Sequence, residues 1–208
     1  MSADIPQSEC SAAASSMVRV VDAIAFAAHA HRAQRRKDRD HTPYINHPVA
    51  LVHILSVEAG IDDADVLCAA ALHDYLEDCC GDDGQPTLEQ GRDLLHQRFG
   101  LQVLALVEAV SDDKTLPKAE RKRRQVEHAA HAPRGARLIK LADKTANLRD
   151  LSEFPPADWP AFRRRDYFDW AASVIGQVRG THSGLEALFD AAHARRPDAA
   201  ASPHGAAA

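Results

Sequence analysis

The sequence predicts an all-α fold, a single compact multi-helix domain of about nine helices. Apolar residues recur at helical spacing through nearly the whole chain. Strand-like alternation is missing, apart from a short extended piece at Thr42 to Ile45. Caps, glycines and prolines punctuate the pattern at helix-length intervals, and no internal repeat is present. A length of 208 residues supports one domain with a substantial core or, at a stretch, two small ones.

Residues 1–14 and 197–208 are rich in Ala, Ser and Pro and lack periodicity. Both are expected to be disordered tails, which leaves residues 15–196 as the domain. Ser15 or Ser16 caps a first helix with Val20, Val21, Ile24 and Ala28 on its inner face. This helix runs into Arg35-Arg36-Lys37-Asp38, and a turn then ends at Pro43. Pro48 fits the first position of a second helix, which ends at Gly60. Asp62 or Asp63 caps a third. Its run Val66-Leu67-Cys68-Ala69-Ala70-Ala71-Leu72 is apolar all round, which marks a buried helix. A loop of Gly and Asp covers Cys79 to Pro86. Thr87-Leu88-Glu89-Gln90 has capping-box spacing for a fourth helix ending at Gly100. The fifth spans Leu101 to about Val110, and Pro117 begins a highly charged sixth. A seventh covers about Arg137 to Leu151, an eighth Trp159 to Gly180, and a short ninth Gly184 to Arg195.

Hydrophobic residues make up 45% of the chain and charged residues 26%, ordinary for a soluble globular protein. The net charge of -5 argues against a general nucleic-acid binder. No apolar run approaches the roughly 20 residues of a membrane span, and no signal peptide is visible at the N-terminus. The four cysteines, Cys10, Cys68, Cys79 and Cys80, form no CxxC spacing. A reduced, cytoplasmic chain is the simplest reading, with a redox role for the adjacent Cys79 and Cys80 as a minor alternative.

The third helix ends in His73-Asp74-Tyr75-Leu76-Glu77-Asp78. Residues four apart share a helix face, so His73 is expected beneath Glu77, and Asp74 beneath Asp78. Ionised carboxylates are costly to bury unless paired or bound to a metal. Two more segments offer ligands: His47 at the N-cap of the second helix, and Asp143 with Asn147 on one face of the seventh. Two imidazoles and two carboxylates, His47, His73, Asp74 and Asp143, mix nitrogen with hard oxygen. That set suits Mn²⁺, Fe²⁺ or Zn²⁺, with octahedral geometry favouring Mn²⁺, and the lack of thiolates argues against structural zinc. Glu77 and Asp78 are placed to orient or deprotonate an attacking water. Arg36 and Lys37 supply positive charge for phosphate, and Arg can also stack on a base. Together these groups imply phosphoester hydrolysis.

Structural readings stand beside these. His73 and Asp74 form a hydrogen-bonded pair without metal in one, Arg36-Lys37 a solvated helix end in another. Asn147 can cap or bond a neighbouring helix, and Tyr167 can be core. Arg121-Lys122-Arg123-Arg124, flanked by Glu120 and Glu127, reads as a solvated helix face rather than a nucleic-acid patch. Its position can add positive potential for a polyphosphate. His31 is expected in packing or capping.

The order His47 … His73-Asp74 … Asp143 resembles the HD-domain phosphohydrolases. More specifically, five segments in order resemble the hydrolase domain of the RelA/SpoT group: Arg35-Arg36-Lys37-Asp38, Thr42-Pro43-Tyr44-Ile45-Asn46-His47-Pro48, Ala71-Leu72-His73-Asp74 with Glu77-Asp78, Asp112-Asp113-Lys114-Thr115-Leu116-Pro117-Lys118, and Lys140-Leu141-Ala142-Asp143-Lys144 with Asn147-Leu148-Arg149-Asp150. The nearest form is the stand-alone small alarmone hydrolases of the metazoan SpoT-homologue type. The resemblance covers about residues 18–195 and includes Tyr167-Phe168-Asp169-Trp170-Ala171. It implies a Mn²⁺-dependent 3′-pyrophosphohydrolase that converts (p)ppGpp to GDP or GTP plus pyrophosphate, without alarmone synthesis. By motif position it makes His47, His73, Asp74 and Asp143 the metal ligands, and Glu77 and Asp78 the catalytic carboxylates. Arg36, Lys37 and Asn147 would meet the nucleotide, with Lys114 and Tyr167 as further substrate contacts. The chain departs from the pattern in its longer Cys79–Pro86 loop, in Thr145-Ala146 where a larger pair is common, and in Tyr75. Competing readings are a phosphatase for another nucleotide, such as removal of the 2′-phosphate of NADPH, and an alarmone-binding sensor without catalysis.

Overall fold

The nine expected helices form, and the third is broken into two. The computed structural model describes residues 7–198, with side chains from Ser15 onward. In order they are α1 (Gln7–Ala30), α2 (Asn46–His53) with a π-helical extension (Ile54–Glu58), α3 (Ala64–Leu72), α4 (Tyr75–Asp78), α5 (Leu88–Phe99), α6 (Leu101–Val110), α7 (Lys118–Ala129), α8 (Arg134–Glu153), α9 (Ala161–Gly176) and α10 (Ser183–His193). Among the described residues the extended backbone reduces to one antiparallel bridge, Arg35 to Pro43, which closes the loop after α1.

Local signals decide several of these boundaries. Asp63 caps α3, its side chain accepting from the backbone N–H of Asp65 and Val66. Thr87 and Gln90 form the expected capping box at the start of α5, and Gly100 turns the chain at φ 93° between α5 and α6. Elsewhere the ends move. Helix α1 begins at Gln7 rather than at residue 15 or 16, because the Ala-rich segment before Ser15 extends a helix already anchored downstream. It stops at Ala30, short of the expected Arg35. Residues 7–14, expected in the tail, are therefore helical; the other residues of the N-terminal tail, and 199–208 of the C-terminal one, lie outside the described residues. Helix α2 starts at Asn46, so His47 is its second residue rather than its cap and Pro48 its third. Proline is tolerated there because first-turn N–H groups have no intrahelical acceptor. Helix α8 is longer at both ends than its apolar pattern, and α9 shorter.

Helix α3 is the hub, with every residue from Val66 to Leu72 buried. It packs against α1, α2, α6 and α8, which explains why its sequence is apolar all round. Helix α8 lies beside it, burying Leu138, Ile139, Leu141 and Leu148, and packs on α10 and α9 across its other faces. The core closes with Leu51, Leu55, Leu95, Phe168, Ile175 and Phe189. This arrangement brings the start of α2, the α3–α4 junction and the middle of α8 to one place. No helix among the described residues is long and apolar enough to cross a membrane.

Candidate active site

The site is organised by the break between α3 and α4. Asp74 sits at φ −96°, ψ −1°, in the bridge region, and α-helical geometry resumes only at Tyr75. The Asp78 N–H still reaches the Asp74 carbonyl at 2.8 Å, so the chain path is kept while the side chains diverge. The expected stack of Asp74 beneath Asp78 on one continuous face is therefore corrected. Asp74 joins the two histidines, and Asp78 turns to Gln34 and Lys114. Asp74, Glu77 and Asp78 each take a partner from another part of the chain: Tyr44, the Asp112 N–H, and Gln34 with Lys114.

His47, His73 and Asp74 converge, with ligand atoms all within 4.8 Å of one another. His73 donates from Nδ1 to the Ala70 carbonyl at 2.9 Å, which turns Nε2 into the cluster. There Nε2 lies 2.8 Å from Asp74 Oδ2 but outside hydrogen-bond geometry. His47 Nε2 lies 3.2 Å from Asp143 Oδ1, which adds the fourth expected ligand to the edge of the group. His73 Nε2 and His47 Nδ1 are buried nitrogens without a hydrogen-bond partner. Buried polar atoms are normally satisfied, and the orphaned His73 Nε2 beside Asp74, with His47 Nε2 facing Asp143, fits a divalent metal ion. The site thus offers a His/His/Asp set able to hold such an ion, with Asp143 beside it.

The charges are arranged to match. Burial pushes His73 down, but Asp74 and Asp143 outweigh it and raise the imidazole to about 9; a metal ion would have to displace that proton. Burial and the neighbouring imidazole hold His47 below its ordinary value. Burial also disfavours the Asp143 carboxylate, yet Lys144, at 2.7 Å from Oδ2, keeps it well below the usual range. Asn147 donates to Asp143 Oδ1 at 2.6 Å, as the four-residue spacing on α8 predicts. Tyr44 donates its hydroxyl to Asp74 Oδ2, and its ring stacks on His31 with centroids 4.9 Å apart.

Glu77 faces the same cavity as the histidines. Its burial, and then the charge of Asp74, push it up to about 7, while the backbone N–H of Asp112 donates to Oε1. Asp78 Oδ2 accepts from Gln34 Nε2 at 2.8 Å, and Oδ1 pairs with Lys114 at 2.5 Å. Lys114, expected at the substrate, is engaged by Asp78 and lies away from the histidines. Gln34 is in turn held by His31, 2.6 Å from its Oε1.

Two cavities meet at this point. One, of about 370 Å³, holds His47, His73, Asp74, Glu77 and Asp143 and extends between α7 and α8. The other, of about 750 Å³, is lined by Arg36, Lys37, Asp150, Phe154, Trp159 and Tyr167 among others. Arg36, Tyr44, His47, Lys118, Asn147, Trp159 and Tyr167 border both. Arg36 donates to Asp150 at 2.5 Å and to Asn147 at 3.3 Å, with its guanidinium carbon 5.7 Å from the Tyr44 ring centroid. Tyr167 is half-buried against Trp159 and Trp170, so it is both packed and accessible. Thr145 and Ala146 point into the core rather than toward either cavity. Cys68, Cys79 and Cys80 are free, buried thiols, with Cys79 Sγ 3.5 Å from His31 Nδ1.

Sequence reasoning gave no role to Tyr44, Gln34, Lys140 or Lys144. The available signal was charge inside a buried helix: Lys140 and Lys144 lie one turn apart among Leu138, Ile139, Leu141 and Leu148, and both are buried.

Residues 23–166 match the HD domain family. The chain is 51% identical over 172 residues to a Mus musculus protein named guanosine-3′,5′-bis(diphosphate) 3′-pyrophosphohydrolase MESH1, spanning 83% of this chain and 91% of that one. The Homo sapiens protein of the same name is similar to the same extent, 51% over 172 residues with the same coverage. A solved structure described as "A metazoan ortholog of SpoT hydrolyzes ppGpp and plays a role in starvation responses" superposes with a TM-score of 0.77. It is 45% identical and covers 86% of this chain and 95% of its own.

Proposed function

This chain belongs to the HD domain family, and we propose that it is a metal-dependent 3′-pyrophosphohydrolase of (p)ppGpp, releasing GDP or GTP and pyrophosphate. The observation that carries the reading is the buried meeting of His47, His73 and Asp74, with His73 Nε2 orphaned beside Asp74, next to the cavity-facing Glu77. His47, His73, Asp74 and Asp143 would hold the ion, and the mixed nitrogen and oxygen set favours Mn²⁺. A divalent ion bound there supplies charge to polarise a phosphoryl oxygen and to acidify water.

The protein side chains do the rest. Glu77, poised at about 7, accepts the proton of the attacking water. The water oxygen bonds to the phosphorus attached to the nucleoside 3′-oxygen, that P–O bond breaks, and the 3′-oxygen leaves with a proton. Asp78 is held in place by Gln34 and Lys114 and orients the water. Arg36, Lys37, Asn147 and Tyr167 border the larger cavity, where cationic and aromatic groups suit a nucleotide. Lys114 acts through Asp78 rather than on the substrate directly.

The experiment is turnover of ppGpp by purified protein with and without Mn²⁺, with product analysis, and NADPH as a competing substrate. Pyrophosphate release that requires Mn²⁺ and falls away in Glu77→Ala/Asp78→Ala is the expected result. Three outcomes would sink the proposal: tight binding of intact ppGpp without product, which marks a sensor; phosphate release from NADPH alone; or undiminished turnover in the double variant.

A further inference from the structure

The basic run of α7 divides into two faces. Arg123 pairs with Glu120 at 2.6 Å and with Glu127, and Arg124 pairs with Glu120 at 3.0 Å, all on the outer surface. Lys118, Arg121 and Lys122 turn the other way and line the smaller cavity, as their spacing of three and four residues allows. Arg121 Nε is buried with no hydrogen-bond partner. Lys122 Nζ sits 4.5 Å from the centroid of the Trp170 ring and 5.6 Å from that of Tyr167. Lys140, only 8% exposed, approaches from α8 on the facing wall. Among the described residues none of Lys118, Arg121, Lys122 or Lys140 has a carboxylate within ion-pair distance, whereas Arg92, Arg98, Arg123, Arg179 and Arg196 on the outer surface each do. The acidic groups on this cavity, apart from the metal-ligand set, are Glu77, Asp112 and Asp166, and Asp112 accepts from Gln125 at 2.7 Å.

Lys140 is buried and Arg121 and Lys122 half-buried, and unpaired cations gathered in such a cavity are unfavourable unless an anion joins them. Burial and the adjacent lysines already lower Lys122, and burial and Lys144 bring Lys140 down to about 8. The cavity runs from the His47, His73 and Asp74 cluster to the α7 cations, and Lys37 lines only the larger cavity. A substituent on the phosphorus under attack that points toward α7 would enter it.

We propose that this cavity is a second-phosphate subsite, in which Arg121, Lys122 and Lys140 hold the terminal phosphate of a 3′-diphosphate and so select a pyrophosphoryl over a phosphoryl ester. The inference rests on the 3′-pyrophosphohydrolase reading for its substrate, but the anion site itself can be tested apart from turnover. Arg121 is the anchor: guanidinium geometry matches phosphate oxygens, and its buried Nε supplies a donor already free of water.

Binding of inorganic pyrophosphate and of orthophosphate to the full-length, metal-free protein is measured by calorimetry for the wild type, Arg121→Gln, Lys122→Gln and Arg123→Gln. The expected result is tighter binding of pyrophosphate than orthophosphate, weakened about 10–100-fold by either inward substitution and unchanged by Arg123→Gln. Equal affinity for the two anions, or an Arg123→Gln effect as large as that of Arg121→Gln, overturns the subsite. The second arm is kcat/KM on ppGpp, on the 3′-diphosphate 5′-monophosphate and on the 3′-monophosphate 5′-diphosphate. A 3′ subsite predicts that Arg121→Gln lowers the first two alike and the third least; loss on the first and third, with the second spared, assigns the cavity to the 5′ chain and overturns the proposal. Absence of all turnover in a wild type that still binds pyrophosphate through Arg121 would defeat the hydrolase reading and leave the subsite standing. If Arg121→Gln does not fold, as judged by circular dichroism, Lys122→Gln carries the same predictions.

Discussion

Replacing Lys144 by Met removes the cation that faces Asp143 in the interior. Lys144 is 5% exposed, its Nζ is 2.7 Å from Asp143 Oδ2, and it rests 4.5 Å from the Trp170 ring centroid. Met fills a similar volume, so packing is largely kept and the loss is electrostatic. Breaking a buried ion pair costs about 3–5 kcal/mol because the remaining charge stays in the interior. Asp143 retains Asn147 at 2.6 Å and His47 at 3.2 Å, which places the cost near the lower end, about 3 kcal/mol. For a domain of this size that lowers Tm by about 6–12 °C. A divalent ion held by Asp143 and the histidines returns positive charge to the same carboxylate. Saturating Mn²⁺ should therefore shrink the deficit to about half or less. Scanning calorimetry of wild type and Lys144→Met, in chelator and in Mn²⁺, measures both quantities. A deficit below about 1 kcal/mol in chelator, or the same deficit in both conditions, would refute the reasoning.

Glu77→Gln should lower kcat by about 10²–10⁴-fold with little change in Mn²⁺ affinity, as removal of a general base requires. In the wild type the base works when ionised, so the rate is lost as pH falls through its pKa. Metal charge draws that pKa below its metal-free value of about 7, and a pH–kcat profile should place the acid limb at or below pH 7. Thr87→Ala removes the capping box of α5 and should cost about 1 kcal/mol in denaturant unfolding while leaving turnover intact, because the cap is remote from both cavities. Gly91→Ala puts a Cβ 2.5 Å from Cys80 Sγ and should destabilise the protein, with Cys80→Ala restoring part of the loss in a double-mutant cycle.

The fold was most legible where its signals are local. The Thr87–Gln90 box, Gly100, and the limits of α6 need only neighbouring residues, and they formed where expected. The meeting of His47, His73 and Asp74 was legible because an apolar helix ending in His73 and Asp74 has few other uses for its polar groups. What escaped depends on tertiary partners. The break at Asp74 arises where Tyr44 and the histidines draw one carboxylate away from the other, and no periodicity announces it. The pairing of Lys114 with Asp78 joins residues 36 apart in the chain, and no local spacing points to it. Arg121 to Arg124 read as one solvated face; only the positions of Glu120 and Glu127 around the helix, and of α8 across from it, separate the paired outer cations from the inner ones.

In the proposed reaction, water attacks phosphorus at the His47, His73 and Asp74 site and breaks the bond to the 3′-oxygen. Turnover of ppGpp with Mn²⁺ in ¹⁸O-labelled water, followed by mass spectrometry of the products, tests it most directly. One ¹⁸O per pyrophosphate and none in the GDP is the predicted result. Label in the nucleotide 3′-hydroxyl, or release of labelled orthophosphate in place of pyrophosphate, would contradict it.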